Sequence, residues 1–293
     1  MRWVEITIEA RDTSADAASN ILLEEGCQGA ATTQIADEPS GGGPDIVGYL
    51  PVDDRLEARL ENIRDRVRQL PELGLKLRSK QITIRWVHEE DWADAWKKFF
   101  KPIKIGRIVI KPSWEDYAAQ ADDIIIDIDP GMAFGTGYHD TTQLCLMALQ
   151  EHLNEGDTVL DVGTGSGILA MAAARLGASR VVGLENDPVA VDAAQANVNR
   201  MGLDDIIKIE LAESPLTFKG EADLVLVNII PKVIIGMAED LAVKVRPGGK
   251  LIASGIVPDR AKDVIGKLES VGLELLEDKR SNEWVALVTE KQA

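Results

Sequence analysis

From Ile105 onward the chain repeats one pattern: a short run rich in β-branched residues, a segment with helical spacing, then another run. "RIVIKP", "DIIIDI", "TVLDVG", "RVVGLEN", "IIKIEL", "ADLVLVN" and "GKLIASG" are such runs, with helical segments between most of them. A crossover helix lets successive strands lie parallel in one sheet. The segment is therefore restricted to an α/β fold around a mostly parallel sheet. Only "SNE" separates "LELLEDKR" from "WVALVTE", which is too short for a crossover. These two runs are expected to form an antiparallel hairpin at the sheet edge.

The first 85 residues follow another rule. "WVEITIEA" alternates as a strand, and Thr13 to Glu25 has helical spacing that stops at Gly26. "GAATTQIA", the turn cluster "DEPSGGGPD" (a mobile loop by its glycines), "IVGYLPV", a charged helix from Asp54 to Gln69 and "KQITIRWV" complete the unit. The order βαββαβ predicts a small α+β ferredoxin-like sandwich over 1–85. It carries no catalytic constellation, so docking or packing is its expected role. In residues 86–104, Asp91 caps a helix whose Trp92, Ala95, Trp96 and Phe99 share one face, and Pro102 ends it. We read a linker helix there, leaving 105–293 as the larger domain of the 293-residue chain.

The chemistry concentrates in the larger domain. "TVLDVGTGSGILAMAAARLG" runs strand, glycine elbow, helix, with Asp161 just before Gly163, Gly165 and Gly167. A dinucleotide fingerprint would space its glycines G-x-G-x-x-G and set a pyrophosphate on the helix N-terminus. Here the third glycine comes one residue early, and the Asp161 carboxylate would repel a pyrophosphate. It suits an ammonium or sulfonium group instead. Glu185, at the end of the next strand run, stands where an acid can take both hydroxyl protons of a ribose. Asp187 and Pro188 serve as helix cap and first helical residue, which leaves Glu185 for the ligand. These features favour an adenosine ligand without phosphate, and S-adenosylmethionine fits.

"ADLVLVNIIP" ends its apolar run in Asn228, at the carboxyl edge where open α/β sheets bind ligands. Asn228 can cap the following helix, contact the reacting group, or do both. Asn-Ile-Ile-Pro has no aromatic to stack a flipped base, which argues against a nucleobase substrate. A second glycine-broken segment, "DPGMAFGTGYHDTTQLCL", precedes the cofactor strand. Gly131, Gly135 and Gly137 allow close backbone approach, and Phe134 can cover the ligand as a lid. Asp140 or Thr141 can cap the helix, Thr142 lies in its first turn, and its free N–H groups can meet a carboxylate. His139 either takes part in chemistry or starts the helix.

Charge and composition narrow the partners. The formal charge of −17 makes the chain a poor nucleic-acid binder. It serves solubility, or it steers a basic partner inward. No segment approaches the ~18 unbroken apolar residues of a membrane helix. The N-terminus lacks the features of a signal peptide. Cys27 and Cys145 lie far apart, so neither a disulfide framework nor a metal site is expected. A soluble, cytoplasmic protein is the expectation.

The chain resembles the ribosomal protein L11 methyltransferase family. The residues that carry the resemblance are "DWADAWKKFFKPIKIG", "KPSW", "DPGMAFGTGYHDTT", "VLDVGTGSGILAMAAARLGA", "DLVLVNI" and "SGI", in the family's order over most of residues 90–256. "GMAFGTG" followed by "H-x-TT" is far more specific than the cofactor glycines. The resemblance implies a Rossmann-like, seven-stranded class I methyltransferase domain with an antiparallel C-terminal hairpin, preceded by a substrate-recognition domain. It implies transfer of methyl groups from S-adenosylmethionine to lysine side chains, or the N-terminal amine, of a basic protein of the large ribosomal subunit. The cofactor set is then Gly137, Thr141, Thr142, Asp161, Gly163, Gly165, Gly167, Glu185 and Asn228, with Phe134, His139 and Asn228 near the methyl transfer. Glu185 departs from the family's usual aspartate. A related branch methylates lysines of an electron-transfer flavoprotein subunit. A methyltransferase for a small molecule or nucleic acid, opposed by the missing stacking aromatic and the acidity, and a nicotinamide-binding module, opposed by Asp161 and the glycine spacing, are the remaining rivals.

Overall fold

The computed structural model describes residues 2–33, 43–52, 55–88, 101–128, 135, 137–281 and 283–292. The chain divides into two compact units, Met1–Lys101 and Pro102–Ala293.

In the first unit the elements are β1 (Arg2–Glu9), α1 (Ala15–Glu24), β2 (Gln28–Thr33), β3 (Asp45–Pro51), α2 (Leu56–Gln69) and β4 (Ile82–His88). Its sheet has the order β2-β3-β1-β4, and every neighbouring pair is antiparallel. That is the ferredoxin-like arrangement. The two-residue period of β1 puts Val4, Ile6 and Ile8 in one core with Ala18, Ile21 and Leu22 of α1 and Leu60, Ile63 and Val67 of α2. Gly48 sits under α1, where a Cβ would lie 3.0 Å from Cys27 Cβ and 3.1 Å from Leu22 Cδ1. The helix expected from Thr13 begins at Ala15, after one 3-10 turn over Asp12–Ser14. The glycine-rich loop falls mostly on 34–42 and the aromatic linker helix on 89–100, outside the described residues.

The second unit opens with β5 (Ile103–Ile105), β6 (Ile108–Lys111) and β7 (Ile124–Asp127), which form a separate three-stranded sheet. The runs "RIVIKP" and "DIIIDI" therefore stand apart from the main sheet. Then follow α3 (Asp140–His152), β8 (Thr158–Val162), α4 (Ile168–Arg175), β9 (Arg180–Glu185), α5 (Pro188–Arg200) and β10 (Ile207–Leu211). The remainder is β11 (Ala222–Asn228), α6 (Pro231–Gly236), α7 (Ala238–Lys244), β12 (Val245–Ile256), α8 (Pro258–Ser270), β13 (Leu273–Arg280) and β14 (Val285–Lys291).

The main sheet is seven-stranded, in the order β10-β9-β8-β11-β12-β14-β13. β10 to β12 are parallel, and β14 enters antiparallel between β12 and β13. The expected edge hairpin is present, with its second strand as the inner one. One face of the sheet shares a core with α3, α4, α5 and the small three-stranded sheet, the other with α7 and α8. Among the described residues no helix is long and apolar enough to cross a membrane.

Candidate active site

In a parallel sheet wound in two directions, the crossovers diverge between the two strands that start each half, and a crevice opens at their carboxyl ends. Here those strands are β8 and β11, paired Leu226 to Asp161 and Val227 to Val162. Side-chain alternation then selects the face. Val159, Leu224, Leu226 and Ile252 belong to the core beneath α3 and α4. Asp161, Asn228 and Ser254 continue the same alternation, and Asn228 pairs with Ser254 across β11 and β12. Three polar side chains thus end three adjacent strands on one face, under α3.

The elbow after β8 needs its glycines. Gly163, Gly165 and Gly167 all have positive φ (72°, 55° and 83°), a region open to glycine and strained for other residues. At Gly163 a Cβ would also come within 2.8 Å of Ile229 Cγ2. The elbow is braced from α5: Asn197 Nδ2 donates to the Ser166 carbonyl at 2.8 Å, and Arg200 donates to Asn197 Oδ1 at 2.6 Å.

Asp161 is buried at 1% exposure. Its Oδ2 accepts from the Thr164 hydroxyl at 2.6 Å. Its Oδ1 is buried and has no hydrogen-bond partner among the described residues. Burial pushes its pKa up to about 7; the Thr164 hydrogen bond opposes the rise and the Glu185 charge adds to it. A buried carboxylate with one unsatisfied oxygen is a strong attractor for a cationic N–H donor.

Glu185 is less free than the sequence suggests. Asp187 does cap α5, accepting from Val189 N–H at 2.9 Å. Yet Glu185 Oε2 accepts from Gly165 N–H at 3.0 Å, and Oε1 accepts from the N–H groups of Asn186 and Asp187 at 2.8 and 3.2 Å. The glutamate reaches back over the elbow and ties the ends of β8 and β9 together. A carboxylate has about four acceptor positions, so it retains capacity for a hydroxyl donor.

Asn228 does not cap α6. The N-cap there is Ile230, with no side-chain hydrogen bond, and Pro231 follows it. The Asn228 amide turns to α3 instead, with Nδ2 3.5 Å from Thr142 Oγ1. Its Oδ1 is buried and has no partner among the described residues. The capping alternative falls away, because backbone geometry places the cap two residues further on.

Gly135, a described residue of the second glycine segment, docks onto the first. Ser166 Oγ donates to the Gly135 carbonyl at 2.6 Å. Gly137, at φ 87°, packs so tightly on Ile110 that no Cβ fits. The chain then enters α3, whose N-cap is His139 rather than Asp140 or Thr141. His139 Nδ1 accepts from Thr141 N–H at 3.2 Å and lies 2.8 Å from Thr141 Oγ1. The His139 ring meets Trp284 edge-on, 4.9 Å between centroids. Thr141 and Thr142 are both buried. At the far end of α3, His152 Nε2 pairs with Glu277 Oε1 at 2.8 Å, away from these groups. Phe134 lies outside the described residues.

The whole-chain comparisons agree with one another. The profile of the family described as "Ribosomal protein L11 methyltransferase (PrmA)" matches residues 2–292. A protein of Pelotomaculum thermopropionicum named ribosomal protein L11 methyltransferase is 40% identical over 312 residues, covering 100% of both chains. One of the same name from Alkaliphilus oremlandii is 38% identical, covering 99% of this chain and 98% of its own. The chain belongs to the ribosomal protein L11 methyltransferase family. A crystal structure titled ribosomal protein L11 methylase, from Lactobacillus delbrueckii subsp. bulgaricus, superposes with a TM-score of 0.62 at 31% identity, covering 66% of this chain and 100% of that one.

Within this member of the ribosomal protein L11 methyltransferase family, several side chains around the crevice were not singled out from sequence. Thr164 and Ser166 were readable in principle, being small hydroxyl residues set between elbow glycines. Asn197, Ser254 and Trp284 had no local signal, since each arrives from a distant element. Cys145, on the buried face of α3, is held as a thiol: burial pushes its pKa up to about 12. Cys27 is likewise free and buried.

Proposed function

We propose that this protein transfers methyl groups from S-adenosylmethionine to amino groups of ribosomal protein L11. The observation that carries the reading is family membership across residues 2–292, which names both the reaction and the acceptor. The crevice chemistry supports it. Asp161 Oδ1, buried and without a partner among the described residues, fits the ammonium of the donor's amino-acid end. The N–H groups of Thr141, Thr142 and Gln143, expected to be free, are bonded to His139, so the positive end of α3 and the Thr142 hydroxyl are what fit its carboxylate. Glu185 fits the ribose hydroxyls, and the elbow glycines leave room for backbone to approach the nucleoside.

When bound, S-adenosylmethionine supplies a methyl group on a cationic sulfur, open to attack by a neutral amine. A lysine has an ordinary pKa of ~10.4 and must arrive at the crevice without its extra proton. A low-dielectric site beside positive charge disfavours the ammonium form, so no dedicated base is required. Asn228 Oδ1 accepts one amine N–H and aims the nitrogen lone pair, a positioning role. Asn228 Nδ2 is in turn turned toward Thr142 Oγ1, 3.5 Å away on the first turn of α3.

The first unit, expected over 1–85, acts in this reading as the recognition domain for L11. Deleting it should abolish methylation of L11 and leave cofactor binding in place. A formal charge of −17 attracts a basic acceptor before ribosome assembly, in the cytoplasm. Incubating the protein with L11 and methyl-labelled S-adenosylmethionine, followed by mass mapping, tests the whole reading. Label on L11 amines is expected. L11 left unlabelled while RNA or small molecules of an added cell extract take the label, or calorimetric binding of NAD in preference to S-adenosylmethionine, would overturn it.

A further inference from the structure

We infer that His139 is a positioning residue that caps α3 and thereby sets Thr142 against Asn228, and that it does not act as a base; the inference rests on the proposed methyl transfer. A backbone N–H can only donate, so the 3.2 Å contact from Thr141 N–H requires His139 Nδ1 to be the unprotonated, accepting nitrogen. The ring proton of the neutral imidazole therefore sits on Nε2, which is then a donor. Thr141 Oγ1, 2.8 Å from the same Nδ1, reinforces that tautomer by offering its hydroxyl proton.

Protonating Nδ1 would break the contact from Thr141 N–H, reverse the one with the Thr141 hydroxyl, and place a cation at the positive end of α3, which is unfavourable. Trp284 fixes the ring from another element: its indole meets the imidazole edge-on at 4.9 Å, from the turn between β13 and β14. The cap has a direct consequence for the crevice. It orders the first helical turn, where Thr141 and Thr142 are buried, and Thr142 Oγ1 is the group that faces Asn228 Nδ2. His139 thus acts on the reacting amine through two intermediaries.

The decisive variant is His139→Asn. Asparagine is a good N-cap, and its Oδ1 can take the place of Nδ1 while offering no imidazole chemistry. His139→Ala removes the cap. Two readouts are needed: steady-state methylation of L11, and amide hydrogen exchange of the ligand-free protein over residues 138–146. In His139→Ala, exchange in the first turn of α3 should rise about five- to tenfold, the order expected for losing a cap, and kcat/KM should fall about tenfold or more. In His139→Asn both should stay within about threefold of the parent, and the pH profile should superimpose on it.

If His139→Asn keeps parental exchange yet loses activity as His139→Ala does, the imidazole itself does chemistry and the inference is wrong. Parental activity in His139→Ala would refute it equally. Should His139→Ala fail to fold, comparing His139→Asn with the parent still decides. Should the parent leave L11 unlabelled, the proposed function fails by itself, while the exchange data still judge the cap.

Discussion

The Ser166 hydroxyl and the Gly135 carbonyl are joined by a buried 2.6 Å hydrogen bond, which fastens the segment entering α3 to the glycine elbow after β8. The two residues are 31 positions apart in sequence. Gly135 has φ 102°, and a Cβ on it would stand 2.7 Å from Ser166 Oγ. Gly135 and the elbow are therefore held together, and the contact can be perturbed from either side.

Ser166→Ala leaves the Gly135 carbonyl without its partner, and a buried unsatisfied carbonyl costs about 1–3 kcal/mol. Gly135→Ala attacks the same contact by clash and by an unfavourable φ. Both should lower stability in urea and raise the KM for S-adenosylmethionine. In a double-mutant cycle their effects should fall short of additivity, because they break one interaction. Full additivity would mean the two glycine segments are energetically independent.

Asp161 makes ligand-free stability depend on pH. Its pKa is raised from 3.8 to about 7, so from about pH 4 to 7 the folded state holds a proton that the unfolded state has lost. Its contribution is fully present below about pH 4 and is lost as pH rises through about 7. The parent should thus lose stability across that window, by an amount on the order of a few kcal/mol. Asp161→Asn should flatten the loss while binding S-adenosylmethionine far more weakly. Chemical denaturation of both proteins at several pH values reads the first effect and calorimetry the second. An unchanged pH slope in the variant would assign the dependence elsewhere.

Asn228→Ala removes the amide that faces Thr142 and leaves the Asp161 and Glu185 contacts in place. Affinity for S-adenosylmethionine should stay near the parent value, while kcat on L11 falls about 100-fold, the order associated with misplacing a reactant. Calorimetry beside single-turnover methylation separates the two quantities. Equal losses in both would move Asn228 from substrate positioning to cofactor binding.

Charge steering predicts a salt dependence for the protein acceptor. With a formal charge of −17, the chain should attract a basic acceptor from a distance, and ~0.1 M salt already screens beyond about 10 Å. Raising salt from about 20 to about 300 mM, which shortens the screening length several-fold, should lower kcat/KM for L11 several-fold. Affinity for the small cofactor should change little over the same range. A kcat/KM for L11 that is flat in salt would leave the acidity with solubility alone.

Much of this was legible locally because strand and helix periods depend on near neighbours. The apolar runs that became β8 to β12, the elbow glycines, the Asp187–Pro188 start of α5 and the close spacing of the last two strands each follow from a few adjacent residues. The βαββαβ order of the first unit was legible for the same reason, and its sheet closes as β2-β3-β1-β4.

Other outcomes were settled by groups that meet only after folding. Ile108–Lys111 and Ile124–Asp127 read as strands like the rest, but β6 and β7 pair with each other and with β5 rather than with the main sheet. His139 wins the cap of α3 over Asp140 and Thr141 because the entering backbone is extended at His139, with its ring held by Trp284. Glu185 turns back to the elbow because Gly165, Asn186 and Asp187 point N–H groups at it. The sequence by itself determined the elements, their order and the acids and amide that end β8, β9 and β11. Tertiary structure alone decided which hydrogen-bonding atoms those side chains spend on their neighbours and which remain for a ligand, because that choice depends on partners far along the chain and on which oxygens burial cuts off from water.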